Sequence, residues 1–495
     1  MMYGEEKSDS LIVAANLANN PQGAESVERR SGAKGNAEQP HMRRTQSRES
    51  MSQRLSRVRE AAKQRKKERF TALFHLLTAE ALENAFLSLS RKAAAGVDGV
   101  RWKDYAENLK VNIADLHRRL HQGSYRAQPG RRHYIPKADG KQRPLGIASL
   151  EDKIVQYALV KILNAVYEND FMGFSYGFRP GRSQHNALDA LATGLVRTNV
   201  NWVLDADISQ FFDKVSHEWL IRFIEHRIGD QRVIRLIRKW LTAGTSEEGK
   251  WRASEEGTPQ GAVISPLLAN IYLHYVFDLW AHQWRRRHAT GNVVMVRYAD
   301  DIVIGFDKRI DAQCFRIAMQ RRLKEFGLTV HPKKTRLMEF GRFAAENRAS
   351  RGKGKPETFN FLGFTHISGK DRSGRFMLIR KTRRDRMTAT LKAIKDGLRK
   401  RWHYSIPEQG KWLRRVVQGY LNYHSVPGNY PMMRKFRIYV TDLWRRALRR
   451  RSQQDDTTWT KANRLAAVWL PKVRVLHPWP VERFTARHPR QEPGA

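Results

Sequence analysis

Cysteine is nearly absent: one, Cys314, in 495 residues. That excludes an intrachain disulfide and any multi-cysteine zinc site. It fits a reducing compartment, with Cys314 expected as a small buried apolar residue. Acidic residues are scarce beside basic ones, 49 against 91, leaving a formal charge of +42. An excess that large is more than a solvated surface needs, and a polyanion is the partner it implies, because each neutralised phosphate releases counterions. Long hydrophobic runs are missing too. No apolar stretch reaches the roughly 18 residues of a membrane span, and no basic amphipathic anchor stands at a terminus, so no membrane partner is expected. The first residues carry Glu5, Glu6 and Asp9 and read as neither a secretory signal nor an Arg-rich transit peptide. The expected location is the cytoplasm.

Residues 1–50 are polar and aperiodic and are expected as a disordered leader. Arg54 to Arg69 is densely basic, with Leu55, Val58 and Ala62 on one helical face, and Thr71 to Leu89 is expected to continue helically. A further helix is expected over Leu109 to Leu120. A basic hairpin follows, Arg131 to Lys137 turning at Asp139-Gly140 into Lys141 to Ile147, then a helix from Leu150 to about Glu168. Turn-prone Ser368-Gly369-Lys370 and Ser373-Gly374 mark a boundary. Beyond it, residues 371–495 hold 30 Lys and Arg against 9 Asp and Glu, half of the whole +42, and six of the 13 tryptophans. Basic residues interleaved with aromatics suit structured RNA or single strands, although most of these tryptophans are expected in helix cores.

The chemistry centres on Tyr298-Ala299-Asp300-Asp301, set between Val293–Val296 and Ile302–Ile304. Apolar strand, short turn, apolar strand predicts a β-hairpin with two adjacent carboxylates at its tip. Like charges repel there unless a hard divalent cation takes the oxygens. Further carboxylates stand in Val203-Leu204-Asp205-Ala206-Asp207-Ile208, where strand alternation puts Asp205 and Asp207 on one face; residue physics does not choose between them. Phe212 is either a core ring or one lying under an incoming sugar. Gly257-Thr258-Pro259-Gln260-Gly261 is a special loop ahead of a helix with Ser265 as N-cap and Pro266 at the first position.

These segments together resemble the group II intron-encoded reverse transcriptase/maturase family. Asp207-Ile208-Ser209-Gln210-Phe211-Phe212-Asp213 resembles its first catalytic motif, which selects Asp207 over Asp205. Thr258-Pro259-Gln260-Gly261 with Ser265-Pro266-Leu267-Leu268-Ala269-Asn270 resembles the motif that contacts template and nucleotide. Tyr298-Ala299-Asp300-Asp301 resembles the polymerase box, Lys333-Lys334-Thr335 the next palm motif, and Phe361-Leu362-Gly363-Phe364 the primer grip. Ile135-Pro136-Lys137 through Arg143-Pro144-Leu145, and Gly177-Phe178-Arg179-Pro180-Gly181-Arg182-Ser183, resemble finger motifs.

The resemblance implies an α+β right-hand polymerase, fingers and palm with a catalytic β-hairpin, then a helical thumb/maturase domain and a basic C-terminal DNA-binding segment. It implies a leader at 1–50, an N-terminal extension of the fingers at 51–115, fingers and palm at 116–368, thumb/maturase at 369–452 and the DNA-binding segment at 453–495. It implies RNA-directed DNA polymerase activity with two Mg²⁺ ions on Asp207, Asp300, Asp301 and the Ile208 carbonyl, the first three catalytic. Lys137, Arg143, Phe212, Gln260 and Lys334 would bind the nucleotide; Arg179, Arg182, Gly363, Arg445, Arg446 and Arg449 would touch nucleic acid. Implied partners are group II intron RNA, a DNA target or primer strand and dNTPs, with a homodimer as the candidate assembly. The cysteine and histidine pairs of the family's HNH-type endonuclease are absent, which implies priming from a nicked or replicating strand. A splicing-only maturase and a domesticated defence or repair enzyme are the alternatives.

Overall fold

The computed structural model describes residues 50–136, 142–451 and 457–487. The expected leader, Lys137 and the boundary at 452/453 lie outside the described residues. The chain is mixed helix and sheet. Gly130–Pro136 (β1) and Gln142–Ile147 (β2) form the expected basic hairpin, with Ile135 opposite Arg143. Trp202–Asp207 (β3) belongs to another sheet, while the short Thr245–Glu247 (β4) and Lys250–Arg252 (β5) extend the hairpin in the order β2-β1-β4-β5.

The central sheet adds Val293–Tyr298 (β6), Asp301–Phe306 (β7) and Arg336–Glu339 (β8) in the order β6-β7-β3-β8, antiparallel throughout. Val293 to Val296 and Ile302 to Ile304 are buried without alternation. Such runs mark strands covered on both faces, and helices Gln184–Arg197 and Arg309–Glu325 pack on this sheet. Register is therefore strongly specified: a slip of one residue would turn charged side chains inward. The register pairs Asp207 with Asp301 and Asp205 with Val303.

Phe359–Phe361 (β9), Phe364–Lys370 (β10) and Phe376–Thr382 (β11) make a third sheet. β9 and β10 are joined by Leu362-Gly363 alone, with φ of 45° and 80°. Two positive φ values in a two-residue loop match strand twist, and Gly is the residue that adopts them freely. Helices Arg384–Arg399, Ile406–His424, Tyr430–Arg449 and Trp459–Trp469 then build a second core around Leu413, Val417, Phe436 and Trp444. Helix Pro480–Arg487 leaves that core, packs on Gln184–Arg197 and buries Phe484 in the first one.

Several expectations change. The N-terminal helix is Met51–Gln64 and does not run on; Phe74–Leu76 is a single 3₁₀ turn before helix Ala79–Ser88. The boundary expected at 115/116 falls inside helix Leu109–Gln122, and that at 368/369 inside β10, because Ser368-Gly369 pairs with Met377 and Leu378. Cys314 is exposed, not buried. Ser265 does not cap its helix; its hydroxyl donates to the Pro259 carbonyl at 2.8 Å, while Pro266 does sit in the first turn. Trp444 is a core residue and Trp402, Trp412 and Trp469 pack against that core, but Trp459 and Trp479 are exposed. Among the described residues no helix is long and apolar enough to cross a membrane.

Candidate active site

The β6–β7 hairpin turns through Ala299 and Asp300 alone, since Tyr298 pairs with Asp301. Asp300 is therefore the tip and Asp301 already belongs to the strand. Ala299 adopts φ 57°, a left-handed conformation that a residue with a Cβ avoids unless its surroundings impose it. Two contacts impose it. The Gly177 backbone lies so close that a Cβ there would stand 2.3 Å from the Ala299 nitrogen. The Ala299 carbonyl accepts from Arg297 Nη1 at 3.0 Å.

Arg297 is the residue that sequence reasoning missed. It is fully buried, and its five N–H groups meet five acceptors. Nε and Nη2 grip Asp278 at 2.7 and 2.5 Å, Nη2 also donates to Ser175 Oγ at 2.7 Å, and Nη1 donates to Asn270 Oδ1 at 3.1 Å and to Ala299. Asn270 in turn donates to the Gly177 carbonyl at 2.7 Å. The signal was present: Arg297 is a lone charge ending an apolar strand, and Asp278 ends an apolar helical run. A buried charge needs such a partner.

Opposite the turn, Asp207 Oδ2 accepts from Lys334 Nζ at 2.9 Å, which brings those two expected residues together. Burial, then the Asp207 charge, raises the Asp300 carboxyl above its ordinary value, while Arg143 and Lys334 oppose the rise. Asp301 still reaches solvent, yet desolvation by surrounding protein, then Asp300 and Asp207, push it up to about 6. Asp205 is pushed to about 7, by burial first and then by Asp301 and Asp207, against Arg336. Carboxylates that raise one another's proton affinity lack positive charge. Among the described residues no three His, Cys, Asp or Glu side chains stand as a ready metal-ligating group. The donor chemistry nonetheless fits a hard divalent cation: oxygen ligands only, crowded, with the Lys334 ammonium on Asp207 and the Arg143 and Arg336 charges acting on the other carboxylates.

The nucleotide-facing candidates converge from three loops. The Gln260 carbonyl accepts from Gly146 N at 2.7 Å, tying the β1–β2 hairpin to the Gly257–Gly261 loop. Thr258 N donates to the Phe212 carbonyl at 2.7 Å and Gly257 N to Val215 at 2.8 Å. Gln260 Nε2 donates to Asp213 Oδ1 at 2.7 Å; a carboxylate only accepts, so the amide oxygen points the other way. Phe212 is half-buried, edge-on to Phe211 at 5.3 Å. Arg143 is exposed on β2, and Ile208, just past β3, is buried and bridges to Val330.

The arginines expected on nucleic acid divide. Arg179 is corrected: it is 4 % exposed and spent internally, on Glu168 and the Met172 and Ser175 carbonyls. Arg182 donates to the Gly173 and Ser175 carbonyls, lies 5.2 Å over Tyr176, and burial lowers it to about 10, so it too is internal. Arg445 pairs with Asp442 at 2.9 Å and covers Trp459. Arg446, also on Asp442, and Arg449 remain exposed in the last turn of their helix. Gly363 packs against Tyr423, whose hydroxyl donates to the Leu362 carbonyl at 2.7 Å.

Comparison with known proteins covers this same region. Residues 135–366 match the reverse transcriptase (RNA-dependent DNA polymerase) family. The chain is 43 % identical over 206 residues to the protein YkfC of Escherichia coli K12, a stretch covering 41 % of this chain and 54 % of that protein. It is 37 % identical over 223 residues to the group II intron-encoded protein LtrA of Lactococcus lactis subsp. cremoris, covering 44 % of this chain and 37 % of that one. It is 26 % identical over 393 residues to the putative COX1/OXI3 intron 1 protein of Saccharomyces cerevisiae, covering 66 % of this chain and 46 % of that one. The matches thus span about half or less of each relative's own length. The reverse transcriptase match thus lies on the Asp207–Asp300 site, and over much of that stretch the chain is similar to a group II intron-encoded protein.

Proposed function

We propose that this chain is an RNA-directed DNA polymerase that also binds its intron RNA and promotes its splicing. One observation carries the reading: the antiparallel register setting Asp207 opposite Asp301, with Asp300 at the tip of a forced turn. The central sheet then serves as palm, the β1–β2 hairpin as part of the fingers, and the second helical core as thumb/maturase domain, with the basic C-terminal segment on DNA.

Asp207, Asp300 and Asp301, with the Ile208 carbonyl, would hold two Mg²⁺ ions, which supply a lowered pKa at the primer 3′-OH and charge neutralisation at the α-phosphate. Arg143 would neutralise the triphosphate from the hairpin, and Lys137, outside the described residues, is the second candidate for that role. The outward amide oxygen of Gln260 would accept from a hydroxyl or amino group of the nucleotide or template. Phe212 would lie under the ribose and sense its 2′ position. Lys334 would leave Asp207 for the departing pyrophosphate and donate a proton there. Arg446 and Arg449 are the remaining candidates for nucleic-acid contact. Intron RNA, a DNA primer and dNTPs are the substrates and partners of this reading.

The test is primer extension on an RNA template with Mg²⁺ and dNTPs, wild type beside Asp300→Ala. Extension lost in the variant, with RNA binding kept, supports the reading. A folded wild type that binds RNA and extends nothing favours a splicing-only protein.

A further inference from the structure

Phe178 is 52 % exposed beside the Asp300 turn, at φ 58°, a conformation that any residue with a Cβ disfavours. Both neighbours are pinned. Gly177 gives its carbonyl to Asn270 and packs its Cα against the Ala299 backbone. Arg179 is locked into Glu168, Met172 and Ser175. The chain between two such anchors has no freedom to turn its apolar ring inward. An aromatic ring held in water by a strained backbone is not core packing; strain of this kind gathers where a ligand is met.

The ring stands 6.3 Å from Tyr298, tilted by 46°, and Tyr298 is the cross-strand partner of Asp301. The two rings therefore wall the approach to the catalytic turn. What arrives there in the polymerase reading is a flat base of unspecified identity. A polymerase must grip each base in succession, and every base has a π-face, so stacking holds it without reading it. The +42 charge supplies the backbone attraction that brings such a strand.

Resting on that reading, we propose that Phe178 is a stacking platform for a nucleobase of the primer–template duplex at the Asp300 turn. The test places 2-aminopurine at successive positions of primer and template and records fluorescence on binding, with EDTA and no dNTP. At one position the wild type should quench the probe, Phe178→Tyr should quench it too, and Phe178→Leu should not. Dissociation of the duplex from Phe178→Leu should be roughly ten-fold faster, the size expected for one lost stack. Melting of each variant separates misfolding from lost stacking, and Phe178→Tyr keeps the test alive if Leu fails to fold. Equal quenching by wild type and a folded Phe178→Leu at every position overturns the inference. If that wild type still extends primers, the polymerase reading survives; if it extends none, the reading itself falls.

Discussion

Beneath the Asp300 turn, Arg297 has no exposed surface and all five of its N–H groups are placed on acceptors. At the joint made by the C-terminal helix, Arg380 is almost as deep, 2 % exposed, yet Asp189 Oδ1 lies 3.7 Å away and its Nη1 has no hydrogen-bond partner among the described residues. Asp189 is gripped instead by Arg483, from 294 residues along the chain. Around it His185 stacks on His477 at 4.0 Å with both its ring nitrogens unpartnered among the described residues. One cluster is saturated and ties Ser175, Asn270 and Asp278 to the turn at Ala299. The other closes a very long loop and already bears the desolvation cost of orphaned groups. Saturated networks fix a geometry; unsaturated ones open at lower cost. The Asp300 turn is thus built as a fixed point, and the C-terminal closure as the part that yields first.

The sharpest way to break this comparison is to remove what the fixed point presents. Asp300→Ala and Asp207→Asn should each lower single-turnover primer extension by on the order of 10⁴-fold or more, as losses of residues acting as a unit do. RNA affinity should hold, since neither aspartate attracts phosphate. Next comes the support. Asp278→Ala leaves the Arg297 charge buried and unpaired, and should cost about 3–5 kcal/mol in urea unfolding. Asp189→Ala should cost less, about 1–3 kcal/mol, because the groups it abandons were only partly satisfied before. Equal costs at the two sites would erase the distinction between them.

Acid separates the clusters in another way. Burial, followed by the His477, Arg483 and Arg380 charges, lowers His185 to about 3; burial lowers His424 to about 4, and His366 to about 3 with Arg380 adding to it. His477 is lowered as well, by burial first. A histidine depressed by folding is protonated more readily when the joint is open. Its stabilising contribution is complete above about pH 6.5 and is lost as pH falls toward the folded values, by up to about 1.4 kcal/mol per pH unit for each proton. Amide hydrogen exchange at pH 7 and pH 5 should therefore show residues 476–487 losing protection well before residues 293–306. Matched loss in both would remove the joint as the weaker element.

Much of the site was legible because its parts follow short-range rules. Apolar runs around a short turn predicted the β6–β7 hairpin with both carboxylates at its tip; Asp300 stands there, Asp301 falls in the strand, and Lys334, expected on the nucleotide, lies against Asp207. What was not legible depended on how the chain closes in space. Arg179 turns back onto Glu168 and the Met172 and Ser175 carbonyls, all close in sequence but in a loop that no periodicity marks. The same holds for Ser368-Gly369, whose turn-like composition yields to pairing with β11. Tertiary pairing overrides local propensity in strands more readily than in helices. The Arg297 network escaped because a lone arginine in a strand looks like a surface residue until its carboxylate, on another element, is known.

The smallest expected effect lies where the two regions meet. Tyr423 stands on helix Ile406–His424, faces His185 at 5.0 Å and Phe364 at 5.7 Å, and donates its hydroxyl to the Leu362 carbonyl. Burial raises that hydroxyl's pKa, so it stays a donor across the working pH range. Tyr423→Phe keeps both ring contacts and removes one neutral hydrogen bond, worth about 1 kcal/mol. That loss loosens the Leu362-Gly363 turn from the helix without touching the Arg297 network. The expected result is a slight fall in stability and faster exchange of the Gly363 and Phe364 amides, with those of Val296 and Ile302 unchanged. Exchange that quickens equally at Val296 would mean that the fixed point leans on the joint after all.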